Sequence, residues 1–180
     1  MSNERTEIRF SGAGGQGLQL SAKILASALA GSGKSVAQSQ SYEPTSRGGL
    51  SRSDLVVSES ATGYPLATDL NYLLILDDAA LNASQGVMND GSVVMTDSRR
   101  VSSAPAGKAN VQSMPFSEIA LELGNERVAN IVALGALIGK SGLCSRETME
   151  QTITTMVPAK FCQLNLTAFA RGLELAESSK

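Results

Sequence analysis

The 180-residue sequence has no histidine and no tryptophan. Without histidine it lacks both the commonest general base near neutral pH and the commonest metal ligand. Its two cysteines, Cys144 and Cys162, stand far apart. An iron–sulfur cluster wants about four thiolates, so the pair cannot hold one. They read as buried or half-buried cytosolic thiols rather than as a disulfide. Aromatic residues make up only 4% and charged residues 18%, with a net charge of −2. There is no basic excess, no interleaving of aromatic and basic residues and no acidic tail, which excludes nucleic acid as a partner. A weakly charged surface rich in Ala, Ser and Gly suits a face covered by another protein, although a bland monomer would share that composition. Met1 to Glu7 is polar, and the longest strongly apolar run, Leu70 to Leu76, is interrupted by Asn71. That run is far too short to span a bilayer. The expectation is a soluble, cytoplasmic protein with no membrane partner.

What is present is a regular alternation. Ile8–Arg9–Phe10 leads into Ser11–Gly12–Ala13–Gly14–Gly15–Gln16–Gly17, after which Leu18, Ile24, Leu25, Ala28 and Leu29 recur at helical spacing as far as Gly31 and Gly33. Ser35 to Ser39 reads as a second strand, completing a β-α-β unit. A polar loop, Ser41 to Arg52, precedes a strand over Ser53 to Ser58. Asn71 to Leu76 is a buried strand, Ala79 to Met88 a short helix, Ser92 to Thr96 a strand and Val111 to Met114 an edge strand. Helices then follow over Phe116 to Leu123, Arg127 to Lys140, Arg146 to Met156 and Lys160 to Glu177, with Ser117 and Glu118 suited to one start and Ser145 to another. The length suits one domain spanning 1–180. The fold class is α/β: a three-layer, Rossmann-like, largely parallel sheet flanked by helices, with a helical C-terminal third.

Gly12-x-Gly14-x-x-Gly17 has the spacing of a dinucleotide-binding turn in a strand–turn–helix setting. Glycines admit close approach of a ligand to the backbone, and free N–H groups at a helix N-terminus attract anions. NAD also needs an acid about twenty residues on to hold a ribose hydroxyl. Here that stretch is Val36–Ala37–Gln38–Ser39–Gln40, with no acid before Glu43. The remaining readings are a tight turn that packs a helix onto a sheet, a phosphate-bearing ligand other than NAD, or a partner's backbone. The loop after the second strand carries Arg47 beside Gly48 and Gly49. It reads either as a guanidinium and amides offered to a phosphate or carboxylate, or as a solvated polar loop.

Together the two segments resemble the gamma subunit of the 2-oxoacid:ferredoxin oxidoreductases. The likeness rests on Gly12, Gly14, Gly15, Gln16 and Gly17, then on Gln40, Ser41, Tyr42, Pro44, Arg47, Gly48, Gly49 and Ser51. It continues in Tyr64–Pro65, in Arg127–Val128–Ala129–Asn130 with Ala133, Leu134 and Gly135, and in Asn165, Leu166, Ala168 and Gly172. The Gln-Ser-Tyr-x-Pro form is similar to the 2-oxoglutarate branch more than to the indolepyruvate or pyruvate branches. The resemblance implies a role in converting a 2-oxoacid and coenzyme A to an acyl-coenzyme A and carbon dioxide, with electrons passing to ferredoxin. It implies that thiamine diphosphate, magnesium and iron–sulfur clusters reside in partner subunits, while this chain alone binds no cofactor tightly and has no catalytic residue. Alpha and beta subunits are the implied partners, with a ferredoxin-like delta subunit as a further candidate. Coenzyme A is the implied ligand of the glycine loops, at Gly12, Gly14, Gly15, Gln16, Gly17, Tyr42, Arg47, Gly48 and Gly49. A ligand-free assembly subunit and a stand-alone nucleotide-binding module are the alternatives from other classes.

Overall fold

A computed structural model describes residues 5–43, 48–60, 64–107 and 109–178. Six strands, β1 (Thr6–Ala13), β2 (Ser35–Tyr42), β3 (Leu50–Ser58), β4 (Tyr72–Ile75), β5 (Val93–Asp97) and β6 (Asn110–Met114), form one sheet in the order β2-β3-β1-β4-β5-β6. The helices are α1 (Leu18–Gly31), α2 (Phe116–Glu122), α3 (Ala129–Ser141), α4 (Arg146–Met156) and α5 (Ala159–Ser178). The α/β class and the helical C-terminal part therefore agree with the sequence pattern.

Three features differ from the expectation. The sheet is mixed: β1, β4, β5 and β6 run parallel, but β3 is antiparallel to both of its neighbours. The polar segment expected to be a long loop instead extends β2 to Tyr42 and starts β3 at Leu50, giving a hairpin in register from Ser35↔Ser58 to Tyr42↔Ser51. Alternation of Ser and Gln hides this extension of the second strand from a hydrophobic-period reading, because at the sheet edge neither face of it needs to be strongly apolar. The helix expected over Ala79 to Met88 is replaced by 3₁₀ turns at Asp78–Ala80 and Gln85–Val87. The Asp77 carboxylate accepts from Ala79 N–H (3.1 Å) and fixes a tight turn. Asn82, Ser84 and Gly86 then disfavour helix propagation.

The layers are unequal. Ile8 and Phe10 of β1, Leu55 and Val57 of β3, Leu74 and Met95 point to one face, where all five helices bury their apolar stripes. Leu73, Ile75 and Val94 point to the other, which the 3₁₀ segments and their flanking loops cover with a smaller cluster including Leu70, Ala80 and Val101. On this second face Arg9 and Asp54, cross-strand neighbours in register, form a buried two-pronged ion pair (2.7 Å for each bond), and Arg9 also donates to Ser84 Oγ. Burying either charge alone would be costly; paired in this fork they hold the sheet's second layer in place. The helical layer is tight because α3 and α5 cross at glycine. A Cβ on Gly172 would lie 2.9 Å from Gly135 Cα and directly on the Val132 carbonyl oxygen.

Candidate functional site: two clefts at the glycine turn

The turn between β1 and α1 is assembled by side chains that arrive from elsewhere. Ala13 N–H donates to Gln16 Oε1 (2.8 Å), and Gln16 Nε2 donates to the carbonyl of Leu76 just beyond β4 (3.0 Å). Gln16 thus ties together the carboxyl ends of β1 and β4, and it occupies the space that a side chain on Gly12 would fill. At the other end of the turn Gly17 has φ 74, and its missing Cβ leaves room for Asn130, whose Nδ2 donates to Gly17 O (2.9 Å). Ser21 Oγ returns a bond to Asn130 O (3.3 Å), so the start of α1 is fastened to the start of α3. Gly12, Gln16 and Gly17 are therefore engaged in building the turn.

Gly14 and Gly15 form its open edge. Gly14 N–H donates to Gly49 O (3.0 Å), stapling the glycine turn to the β2–β3 loop. The two separate sequence motifs therefore meet. They border a cleft of about 790 Å³, flanked also by Leu18, Gln19, Tyr42 and Gly48. Tyr42 is 70% exposed beside it. Gly17 brings no capping side chain to α1, and the first helical bond runs from Ser21 N–H to Gly17 O (3.1 Å). The amides of Leu18, Gln19 and Leu20 thus precede any helical acceptor and provide donors for an anion. Arg47 and Pro44 lie outside the described residues.

A second cleft, about 260 Å³, lies across the turn, at the ends of β1, β4 and β5. The sequence pattern did not mark it. It shares Ala13 to Gln16 with the first and is lined further by Asp77, Asp97, Arg100, Glu126, Arg127 and Asn130. Asp97, fully buried, accepts from Ser117 N–H (2.7 Å) and Oγ (2.8 Å) and from the amides of Arg99 (2.9 Å) and Arg100 (3.2 Å). Ser117, expected as a helix start, is itself held at the first turn of α2 by this carboxylate. Glu126 accepts from Arg99 (2.9 Å) and Arg100 (2.6 Å), and Arg100 also approaches Asp77 at 3.6 Å. The hydrogen bond to Glu126 raises Arg100 above its ordinary pKa, and the same bond lowers Glu126 below its own. Asp97, Arg100 and Glu126 have no local sequence signature; only the sheet topology brings them to the turn. Arg127 and Asn130 belonged to a recognisable segment, but their spacing alone implied no ligand role.

The family model for pyruvate ferredoxin/flavodoxin oxidoreductase matches residues 7–175. The chain belongs to that family. Within it, the chain is 38% identical over 177 residues to the 2-oxoglutarate synthase subunit KorC of Methanocaldococcus jannaschii, covering 96% of this chain and 95% of that one. It is 29% identical over 175 residues to the pyruvate synthase subunit PorC of Methanothermobacter thermautotrophicus, covering 95% and 96%. Among solved structures it resembles the gamma subunit of a keto/oxoacid ferredoxin oxidoreductase from Geobacter sulfurreducens PCA, with a TM-score of 0.84, 38% identity, and coverage of 96% and 99%. Among the described residues no helix is long and apolar enough to cross a membrane, and both cysteines are free and half-buried. Burial pushes the Cys144 thiol up. No group of three His, Cys, Asp or Glu side chains among the described residues is placed to hold a metal ion.

Proposed function

We propose that the chain is the gamma subunit of a 2-oxoacid:ferredoxin oxidoreductase and that its larger cleft receives coenzyme A. In the overall reaction a 2-oxoacid and coenzyme A give an acyl-coenzyme A and carbon dioxide, and two electrons pass to ferredoxin. The higher identity to KorC than to PorC favours 2-oxoglutarate, with succinyl-coenzyme A as product. On this reading, thiamine diphosphate, magnesium and the iron–sulfur clusters belong to the alpha and beta partners, as the chemistry of the family implies. This chain's part is to bind and orient. The observation that carries the reading is the bond from Gly14 N–H to Gly49 O, which joins both glycine motifs beside the uncapped start of α1. A pyrophosphate there meets backbone donors and the positive end of a helix dipole.

Gly14 is the position that tests this. A Cβ added to it finds only Gly49 O, at 3.8 Å, and its φ lies outside the left-handed region. Gly15, at φ 92, would be strained by any side chain and could not separate strain from obstruction. In the complex coexpressed with alpha and beta subunits, Gly14→Ala should raise the KM for coenzyme A several-fold while subunit stoichiometry holds. The purified chain alone should reduce neither ferredoxin nor dye. An unchanged KM with normal assembly would make the turn purely structural, and activity of the chain alone would overturn the accessory role.

A further inference from the structure

β2 ends the sheet order, so among the described residues no strand pairs with its outer side. Edge strands in folded proteins are ordinarily shielded by a proline, a charge, a bulge or by being very short. β2 has none of these. Its eight residues, SVAQSQSY, contain no proline and no charge, and they run in unbroken register against β3. Lys34, just before the strand, is drawn off to Glu59 (3.3 Å). The bond from Glu43 N–H to Leu50 O (2.8 Å) marks which pairs of the hairpin are hydrogen-bonded. By alternation, the backbone groups of Val36, Gln38, Gln40 and Tyr42 then turn outward to the open edge.

One strand inward, Arg52 lies opposite Ser41 in register and on the same face as Asp54, the face that carries no helices. Arg9 on that face is committed to Asp54 and Ser84, whereas Arg52 makes no ion pair among the described residues. Its guanidinium extends over Ser41 Oγ, a long 3.5 Å contact, toward the open edge. A groove of about 220 Å³ lies there, lined by Arg52, Ser39 and Ser41, with Leu66, 48% exposed, as an apolar wall. We propose that an extended, acidic segment of a partner subunit adds to the sheet along β2, with a carboxylate opposite Ser41 held by Arg52. A side chain opposite Ser41 on an added strand points to the same face as Arg52, within reach of its fork. Charge decides the occupant: β2 holds no carboxylate, so a second copy of this chain paired edge to edge would leave Arg52 unanswered. Backbone bonds to β2 supply the affinity, and the carboxylate fixes the register. This rests on the subunit reading above and is independent of the coenzyme A reading.

The test compares the full chain alone with the complex coexpressed with alpha and beta subunits. In the complex, hydrogen exchange should slow about tenfold or more at the outward amides of Val36, Gln38, Gln40 and Tyr42. The inward amides of Ala37, Ser39 and Ser41, already bonded to β3, should change little. Gln40→Pro removes only an outward donor, so the free chain should keep its Tm while the complex dissociates about tenfold more readily. Ser39→Pro, which breaks the internal ladder, should instead lower the Tm of the free chain. Arg52→Ala should weaken assembly about tenfold or more, with Arg52→Lys recovering part of the loss and added salt narrowing the difference. Unprotected outward amides in a complex of normal stoichiometry would overturn the proposal and leave the subunit reading intact. A wild-type chain that does not copurify with the alpha and beta subunits would overturn both. Protection that Arg52→Ala leaves unchanged would refute the acidic partner, and dimerisation of the free chain abolished by Gln40→Pro would give the edge to a second copy instead.

Discussion

The junction of Gly17 and Asn130 supports a quantitative test by double-mutant cycle. At φ 74 an alanine in place of Gly17 takes on left-handed strain of roughly 1–2 kcal/mol. Its Cβ would also fall 2.5 Å from Asn130 Nδ2. The amide must then swing away and lose its bond to Gly17 O, worth about 1 kcal/mol. Gly17→Ala should therefore destabilise by about 2–3 kcal/mol, a fall of roughly 4–12 °C in Tm for a chain of this length. Asn130→Ala loses the same bond but also removes the orphaned Oδ1, so it should cost about 1 kcal/mol or less. In the double variant the clash is gone and the bond is lost only once. The cost should be close to that of Gly17→Ala alone, giving a coupling of about 1 kcal/mol between the sites. Urea denaturation of the purified chain and its variants, with m-values checked for constancy, measures each corner. Strict additivity would mean that Asn130 does not occupy the space beside Gly17, and the account of how α1 and α3 are fastened would fall.

Gly172→Ala should lower stability by about 1–3 kcal/mol, because backbone of α3 fills the added volume and outweighs the helix-propensity gain. Gly31→Ala, at the end of α1 with nothing within 4 Å, should stabilise by up to about 1 kcal/mol; the same sign for both in thermal melts would refute the close crossing of α3 and α5. For Glu126 the folded pKa is depressed, so its contribution is complete above the ordinary value of 4.5 and lost as pH falls through the lower folded value. The stability difference between wild type and Glu126→Gln should therefore be constant from pH 5 to 7 and vanish in strong acid; a difference of undiminished size in strong acid, below both the ordinary and the depressed value, would show that Glu126 does not act through its charge.

Long apolar periods made much of the fold legible. The run from Leu18 to Leu29, the buried strand ending at Leu76 and the four C-terminal helices all lie within a few residues of their structural bounds. The α4 limits, Arg146 to Met156 with Ser145 as cap, coincide, and Ser145 Oγ accepts from Thr148 N–H (3.2 Å) as a capping side chain should. The position of β3 was not legible. A β-α-β reading assumes that β2 returns beside β1, and nothing local announces that an antiparallel strand slips between them. The site divides in the same way. The glycine spacing located the turn, but Gly12 and Gly17 turned out to make room for Gln16 and Asn130, a contact over 113 positions in the second case. Tyr42, Gly48 and Gly49 reached the larger cleft as the motif order suggested. The smaller cleft needed the parallel register of β1, β4 and β5, which carries the loop ends holding Asp77 and Asp97 to one side of the turn.

The direction of the two shifts in that cleft bears on what it can do. Acid–base catalysis calls for a group drawn towards the working pH from its ordinary value. Arg100 and Glu126 move the opposite way: hydrogen bonding to each other lifts the base and depresses the acid. The pair stays ionised throughout the neutral range and presents a fixed field rather than an exchangeable proton. Asp97, saturated by four donors, is likewise committed to holding the β5 loop and α2 in place. On the proposed role, substitutions around the turn should therefore act on the KM for coenzyme A. The chemical step would respond to them only through how well the thiol end of the bound molecule is aimed at the partner's site.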